Sequence, residues 1–498
     1  MTHIYWGDLH SHCSISYGQG TVEQALLRAR QQLDFCSVTG HAFWPDMPTD
    51  RSRYGEIIDY HREGFARLAG NWEKLLAAQR DATVEGEFIA MPSYEWHSLR
   101  YGDHNLYARG PDLPLVDAVD LPDLRRLAAE QDALIIPHHI GYAAGYRGID
   151  WSHFESSRSP FVEVYSLHGN SLSTSDPYPM LHDMGPRDSN STAEAGWRAG
   201  HRFGVIASTD HHGGFPGSHG DGRLAAIADS LTRDSLWDAF QSRRVYAVTG
   251  DKIQLAFSVN DAPMGSDVQT SGNRHVRVAA TGCAPLDQVE VFKNGASWRR
   301  LHPAWEADAS SEEVALRVTW GWGQKTERVD WEAELHLSDG RIAHVETCFS
   351  GQSVVAPKGV GGHAQDEDEQ DLPHEIIERG ERTLAWRSVT SGNLSTRHPT
   401  HQSIIAYVRA DQDARICLQA NGNRYDYGIG ELAGQSRVHY LRGWLSEAMC
   451  LGPASPLSER RAVGEFVDDE PVRPGDYYRV AATQRNGQCA WSSPIWID

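Results

Sequence analysis

At 498 residues the chain is too long for one ordinary hydrophobic core, so two or three domains are expected. Its 40% hydrophobic and 23% charged residues are those of a globular protein. A formal charge of −21 disfavours an extended nucleic-acid footprint, because a polyanion is repelled wherever no cation reverses the local field. The opening residues, Met1 to Asp8, show no basic n-region and no apolar h-region, and no apolar run reaches bilayer length. A soluble, cytoplasmic protein with no membrane partner is therefore the expectation. The seven scattered cysteines, with no CxxC pair, fit reduced thiols, and Cys13 stands beside a histidine pair.

Residues 4–9 read as a strand running into a polar turn. Thr21 and Gln24 form a capping-box signature, followed by Val22, Ala25, Leu26, Ala29 and Leu33 on one helical face. Further strands are expected at 35–38, 88–91, 134–136, 161–165 and 203–207, with helices near 122–132 and 234–242. Strands alternating with helices imply an α/β fold with a parallel sheet, and this many units suggests a barrel over 1–250. Beyond Gly250 the pattern becomes β-rich, at 253–259, 276–280, 289–292, 332–337 and 404–408, with turn signals at Asn294-Gly295 and Asp339-Gly340. The expected division is a β-sandwich-like region at 251–350, a Gly-rich and acidic loop or linker at 351–372, and a β-rich C-terminal region at 373–498.

Metal-capable side chains recur at strand ends. Asp8, His10 and His12 follow the first strand, and His41 the second; Glu95, His97 and His104 follow the third. His138 and His139, then Glu163 and His168, then Asp210, His211 and His212 follow later strands. In a parallel β/α barrel the C-terminal strand ends share one mouth, so residues distant in sequence would converge. His3 and His61, by contrast, read as surface or satisfied core residues. Imidazole and carboxylate ligands suit zinc, iron or manganese, and adjacent cations activate a bridging water.

The motifs Gly7-Asp8-Leu9-His10-Ser11-His12, Thr39-Gly40-His41, Pro137-His138-His139 and Ser208-Thr209-Asp210-His211-His212 resemble those of the polymerase and histidinol phosphatase (PHP) superfamily. More narrowly, Tyr94-Glu95-Trp96, Val162–Ser166 with His168-Gly169, Arg243–Gly250 and Ala490–Trp496 resemble a bacterial PHP-like family of largely unassigned function. The resemblance spans about residues 1–265 and recurs at 472–498. It implies a distorted seven-stranded β/α barrel carrying two or three divalent metal ions, Zn, Mn or Fe. By position, His10, His12, Glu95 and Asp210 would hold the first metal. Glu95 would bridge to a second completed by His104 and His138, with His41 and His212 serving a third. Two departures bear on that third site. Ser16-Tyr17-Gly18 stands where many relatives have Asp or His, and Gly40 replaces a carboxylate able to orient His41. His168 is an alternative ligand there, and Tyr17 is either a wall residue or a hydrogen-bond donor to substrate.

The implied activity is hydrolysis of a small phosphoester by attack of a metal-bound hydroxide. The partner is then an anionic small molecule, with an oligomer left open. Candidate proton donors are His97, His139, His168 and His211, and candidate electrostatic helpers are the loop arginines Arg147 and Arg100. Two alternatives stand beside it. The same centre could cleave a carboxylic ester, carbamate or lactone, or the chain could be a non-catalytic metal- and ligand-binding protein. For the latter, Trp298, Trp305, Trp320, Trp322 and Trp331 would form a binding face, although tryptophans at strand spacing are usually core.

Overall fold

The computed structural model describes residues 2–176, 178, 180, 184–303, 313–323, 328–351, 374–391 and 400–498. The expected linker at 351–372 lies, apart from Gly351, outside the described residues, as does Trp305. The architecture is mixed α/β, rich in strands and with few helices among the described residues.

In the N-terminal half, β1 (His3–Asp8) leads to α1 (Val22–Arg30), β2 (Phe35–Cys36), β3 (Gly40–Phe43) and α2 (Arg51–Ala82). Then come β4 (Ile89–Ala90), β5 (Ser93–Trp96), β6 (His104–Ala108), α3 (Leu121–Glu130) and β7 (Ala133–Pro137). They are followed by β8 (Phe161–Ser166), β9 (Gly169–Asn170), α4 (Ala193–Arg198), β10 (Gly204–Ala207), β11 (Arg223–Ala228), α5 (Arg233–Gln241) and β12 (Val245–Val248). The Thr21 capping box forms as expected: its hydroxyl accepts from the Gln24 backbone, and the Gln24 side chain answers the Thr21 N–H. Val22, Ala25, Leu26 and Ala29 are the buried face of α1.

The expected parallel sheet is corrected to a mixed one. β1, β2 and β4 are parallel, but β11 joins β1 antiparallel and β12 pairs antiparallel with β11. β3 pairs parallel with β5, which then pairs antiparallel with β6, and β6 with β7. The connection from β5 to β6 is too short for a crossover helix, so the chain must turn back on itself. β8 and β10 are parallel in a third sheet. The ladders of this half are thus divided among three sheets.

The long helix α2 has no counterpart among the sequence expectations. Its buried face runs through Ile58, His61, Gly64, Leu68, Trp72, Leu75, Leu76 and Gln79, at helical spacing but with polar and glycine positions in the stripe. Two of its residues shape the neighbouring strands. Leu68 fills the space beside Gly40, where a Cβ would meet it at 2.4 Å, and Gly64 leaves room for the Tyr17 ring.

The C-terminal half is β-rich, as expected, with mostly antiparallel ladders and a short parallel pairing, Asp267↔Trp496. Gln254–Val259, Arg274–Thr281 and Arg461–Asp468 form one face. Opposite lie Leu286–Lys293, Tyr477–Gln484 and Cys489–Ser492, sharing a core that includes Phe257, Val278, Val291 and Val480. Through Tyr246↔Ser492 and Ala247↔Trp491 this face continues onto β12, so the chain's last strands are built into the first half's largest sheet. Two five-stranded sheets make a second sandwich from strands lying on both sides of the 351–372 segment. Trp320, Trp331 and Trp386 are buried in its core, so they are packing residues rather than a binding face. Trp298 is half-buried against Tyr478, and Trp322 is exposed beside His401.

This second sandwich docks on the first half. The His219 N–H donates to the Phe349 carbonyl at 2.9 Å and the Thr347 hydroxyl to the Gln31 carbonyl at 3.1 Å, while Phe215 enters the sandwich core. Among the described residues, no helix is long and apolar enough to cross a membrane.

Candidate metal centre

Asp8 locks the first strand end to a distant one. Its carboxylate accepts from the Thr209 N–H and hydroxyl, the Gly217 N–H and the His10 N–H, at 3.0, 2.6, 2.7 and 3.0 Å. The backbone adds Asp210 N–H to the His10 carbonyl at 2.7 Å and His12 N–H to the His211 carbonyl at 2.9 Å. These bonds bring residues some two hundred positions apart to one point. Asp210, His139 and Arg147 hold left-handed backbone conformations (φ of 53°, 31° and 69°), a strain that non-glycine residues keep only where the surroundings dictate it.

Around that point the carboxylates of Glu95 and Asp210 meet a shell of imidazoles. Glu95 Oε2 lies 3.3 Å from His41 Nε2, 3.5 Å from His12 Nε2 and 3.8 Å from His10 Nε2. Its Oε1 lies 3.2 Å from His97 Nδ1 and 3.3 Å from His138 Nε2. Asp210 Oδ1 lies 3.0 Å from His12 Nε2 and 3.2 Å from His10 Nε2, and Oδ2 lies 2.9 Å from His168 Nε2. Glu95 therefore has both oxygens shared among several histidines, as a bridging ligand requires.

Several rings are anchored through one nitrogen so that the other is presented. His10 Nδ1 donates to Glu163 Oε2 at 3.0 Å; His104 and His212 Nδ1 donate to the Gly102 and Asp210 carbonyls, each at 2.9 Å. His41 Nδ1 lies 3.2 Å from the Ser16 hydroxyl, which also accepts the His41 backbone N–H. Ser16 thus does the orienting that a carboxylate at Gly40 would have done, and Leu68 occupies the space such a side chain would need. Tyr17 stacks on His41 with ring centroids 3.5 Å apart, as a wall of the site.

The electrostatics follow from burial and crowding. Burial and the neighbouring imidazoles hold His41, His138 and His212 well below the ordinary histidine value, and burial takes His104 down to about 4. Burial opposes ionisation of Glu95 and Asp210, but the surrounding histidines prevail and keep both carboxyls well below their usual range. Glu163 is pushed up to about 7 by burial, only partly offset by His10. His10 itself is raised, because Asp210 and Glu163 overcome the cost of burial. Ionised carboxylates among mostly neutral imidazoles form the donor set that divalent transition metals take.

A direct test of fit comes from the orphaned polar atoms. His10 Nε2, Glu95 Oε2, both ring nitrogens of His138, His97 Nε2 and His139 Nδ1 are buried without a hydrogen-bond partner. Burying such groups unpaired is costly, and a bound cation is the species that would satisfy several lone pairs at once. Residues able to hold a metal group as His12, His41 and His212; as His10, His12 and Glu95; and as Glu95, Asp103, His138 and His139.

The structure thus brings His10, His12, His41, Glu95, His138, Asp210 and His212 together with His97, His139 and His168. His104 stands at the start of β6 against Trp96. His211 faces the second sandwich, its ring near Phe215 and next to Gly351. Arg147 is committed to protein groups. Its Nε donates to Asp103 Oδ2 at 2.7 Å, its Nη2 pairs with Asp103 and lies 2.9 Å from His97 Nδ1, and its guanidinium covers Trp44. Arg100 is exposed and stacks on Tyr101. His61 is buried with Nδ1 on the Ile57 carbonyl at 2.7 Å, the satisfied residue expected, although its ring also borders Tyr17, Trp44 and His97.

Asp103 is the functional neighbour that sequence reasoning missed. It contacts His97, His139 and Arg147. The Gly102-Asp103 step reads as a turn, and only its position directly before His104 hinted at more.

No family model matches the chain. It is 26% identical over 254 residues to an uncharacterized protein of Chlamydia pneumoniae, covering 45% of this chain and 40% of that protein. It is 24% identical over 323 residues to an uncharacterized protein of Chlamydia muridarum, covering 60% and 49% respectively. The chain spans about half the length, or less, of these curated relatives. Among solved structures it is similar, at 12% identity and a TM-score of 0.33, to a two-domain protein of Bacteroides vulgatus. That protein is described as containing a predicted PHP-like metal-dependent phosphoesterase, and the match covers 86% of this chain and 95% of the other.

Proposed function

We propose that the chain is a PHP-type hydrolase that cleaves a small phosphoester at a centre of two or three divalent metals. The observation that carries the reading is the convergence of Glu95 and Asp210 with six strand-end histidines, His10, His12, His41, His138, His168 and His212, in one buried cluster. His10, His12, Glu95 and Asp210 would hold the first metal, Glu95 and His138 the second, and His41 with His212 the third; His104, beside Trp96, would not reach the second. Bound there, the cations would activate water at neutral pH and offset charge developing on the substrate's oxygens. Zn, Mn and Fe all suit these ligands. A distorted seven-stranded β/α barrel is the arrangement we propose for 1–250, with the β-rich C-terminal regions as its support.

The chain's own groups supply orientation and protons. Glu163 fixes the His10 ring, and Ser16 fixes His41. Asp103, locked by Arg147, sets the orientation of His97 and His139. His97 Nε2 and His139 Nδ1, buried without partners, are placed to give a proton to a leaving group. His168 holds one proton between Asp210 Oδ2 and the Tyr142 hydroxyl, 3.2 Å from its Nδ1. Tyr17 and Trp44 exclude water as walls.

The test is a substrate panel run on metal-loaded protein. Turnover of small phosphoesters, lost with a chelator and restored by metal, is expected. Turnover confined to aryl esters, carbamates or lactones would overturn the phosphoester assignment.

A further inference from the structure

A second buried cluster of reactive side chains lies away from the metal centre, where the second sandwich docks on the first half. Cys348 ends the strand Arg341–Cys348 opposite Ser403, whose hydroxyl accepts from Arg317 Nη1 at 3.3 Å, and the His219 backbone N–H donates to the carbonyl of the next residue, Phe349, at 2.9 Å. His219 Nε2 is 2.8 Å from Asp251 Oδ1, so that nitrogen donates its proton to the carboxylate. Arg317 donates to both oxygens of Asp251 at 2.7 and 2.9 Å, bringing a second cation beside the thiol. Thiol, imidazole and carboxylate thus stand in the order that activates a cysteine: a base holding the thiol proton, itself oriented by a buried acid.

The other cysteines of this protein show the contrast. Burial pushes Cys36, Cys283, Cys450 and Cys489 up, and it remains the largest influence on each. At Cys348 burial acts in the same sense, yet His219 and Arg317 outweigh it and lower the thiol. His219 is correspondingly raised to about 9, burial opposing and Cys348 with Asp251 prevailing. Cys348 is only 4% exposed, while the side chains of His219 and Arg317 beside it are 15% and 23% exposed. At that exposure the sulfur is closed to a bulky reagent.

We propose that Cys348, with His219 as its proton partner and Asp251 and Arg317 as its supports, is a modification site for small hydroperoxides. The sulfur attacks one peroxide oxygen, the S–O bond forms, and the O–O bond breaks. The departing hydroxide or alkoxide takes the His219 proton, leaving a sulfenic acid and water or an alcohol; the sulfur is oxidised by two electrons and the peroxide reduced. The assignment does not depend on the hydrolase reading.

The experiment treats the folded protein with dilute hydrogen peroxide and follows each cysteine by peptide mass spectrometry. Oxygen is expected on Cys348 at least about tenfold faster than on Cys36, Cys283 or the half-buried Cys450. A bulky aromatic disulfide reagent should leave Cys348 untouched. His219→Gln should slow oxidation of Cys348 by about tenfold or more. Cys348 oxidising no faster than Cys36 in the unmutated protein would overturn the proposal. So would His219→Gln reacting at the original rate.

Discussion

Asp251 and Glu95 are both buried carboxylates ringed by cationic or potentially cationic groups, and their surroundings differ in one respect. Asp251 accepts from His219, from Arg317 Nη2 at both of its oxygens, and from Gln484 and Asn486 at 2.8 and 2.9 Å, so its lone pairs are filled by the protein itself. Glu95 sits at 3.2 to 3.8 Å from five histidine nitrogens, and its Oε2 has no hydrogen-bond donor. A network that closes on itself joins two parts of a fold. One that leaves several buried lone pairs open is arranged around something the chain does not supply.

That contrast can be broken in order of expected size. Asp251→Ala strands Arg317 and His219 and should cost about 3–5 kcal/mol of stability in denaturant titration, with metal stoichiometry in the folded protein unchanged. A smaller loss is expected in acid. Glu346, salt-bridged to Lys252 at 2.9 Å and bonded to His344, is brought down to about 2 by these cations against the opposing effect of burial. Because its folded value is depressed, its stabilisation is complete above the ordinary value of 4.5 and is lost as pH falls toward about 2. At most about 3 kcal/mol should disappear in that window, and Glu346→Gln should flatten it.

The metal side of the comparison behaves oppositely. Glu95→Gln should lower metal affinity more than about 100-fold, read by competition with a chelating dye. Without metal it should also cost stability in denaturant titration, since the histidines around Glu95 favour its ionised form. Glu163→Gln keeps every proposed ligand and loosens only the His10 ring, so about a 10- to 100-fold loss of affinity is expected by the same dye. Arg100→Ala, at an exposed position, should move stability by no more than about 0.5 kcal/mol and leave metal binding as it was. An Arg100 variant that loses metal, or an Asp251 variant as stable as the parent, would dissolve the distinction between the two clusters.

Much of the centre was legible in the sequence because its residues follow short apolar strands at fixed offsets. His10, His12, His138 and Asp210 could be placed from the runs before them alone. The capping box at Thr21 was equally readable, being a purely local signal. What could not be read depends on partners far along the chain. Asp103 is defined by Arg147 and His139, and the orienting role of Ser16 by where His41 lands. α2 hid its buried face behind His61, Gly64 and Gln79, which serve close packing and so break the apolar stripe. The return of Cys489–Ser492 to pair with β12 is likewise non-local: a strand's pattern shows that it pairs, not with which partner.

The account rests on Glu95 and its histidines being a metal centre, and metal content measures that directly. Protein incubated with Zn, Mn or Fe, freed of loose ions and analysed for elements, should retain about two equivalents and lose most of them in Glu95→Gln. Retention of none, or retention unchanged by that substitution, would contradict it.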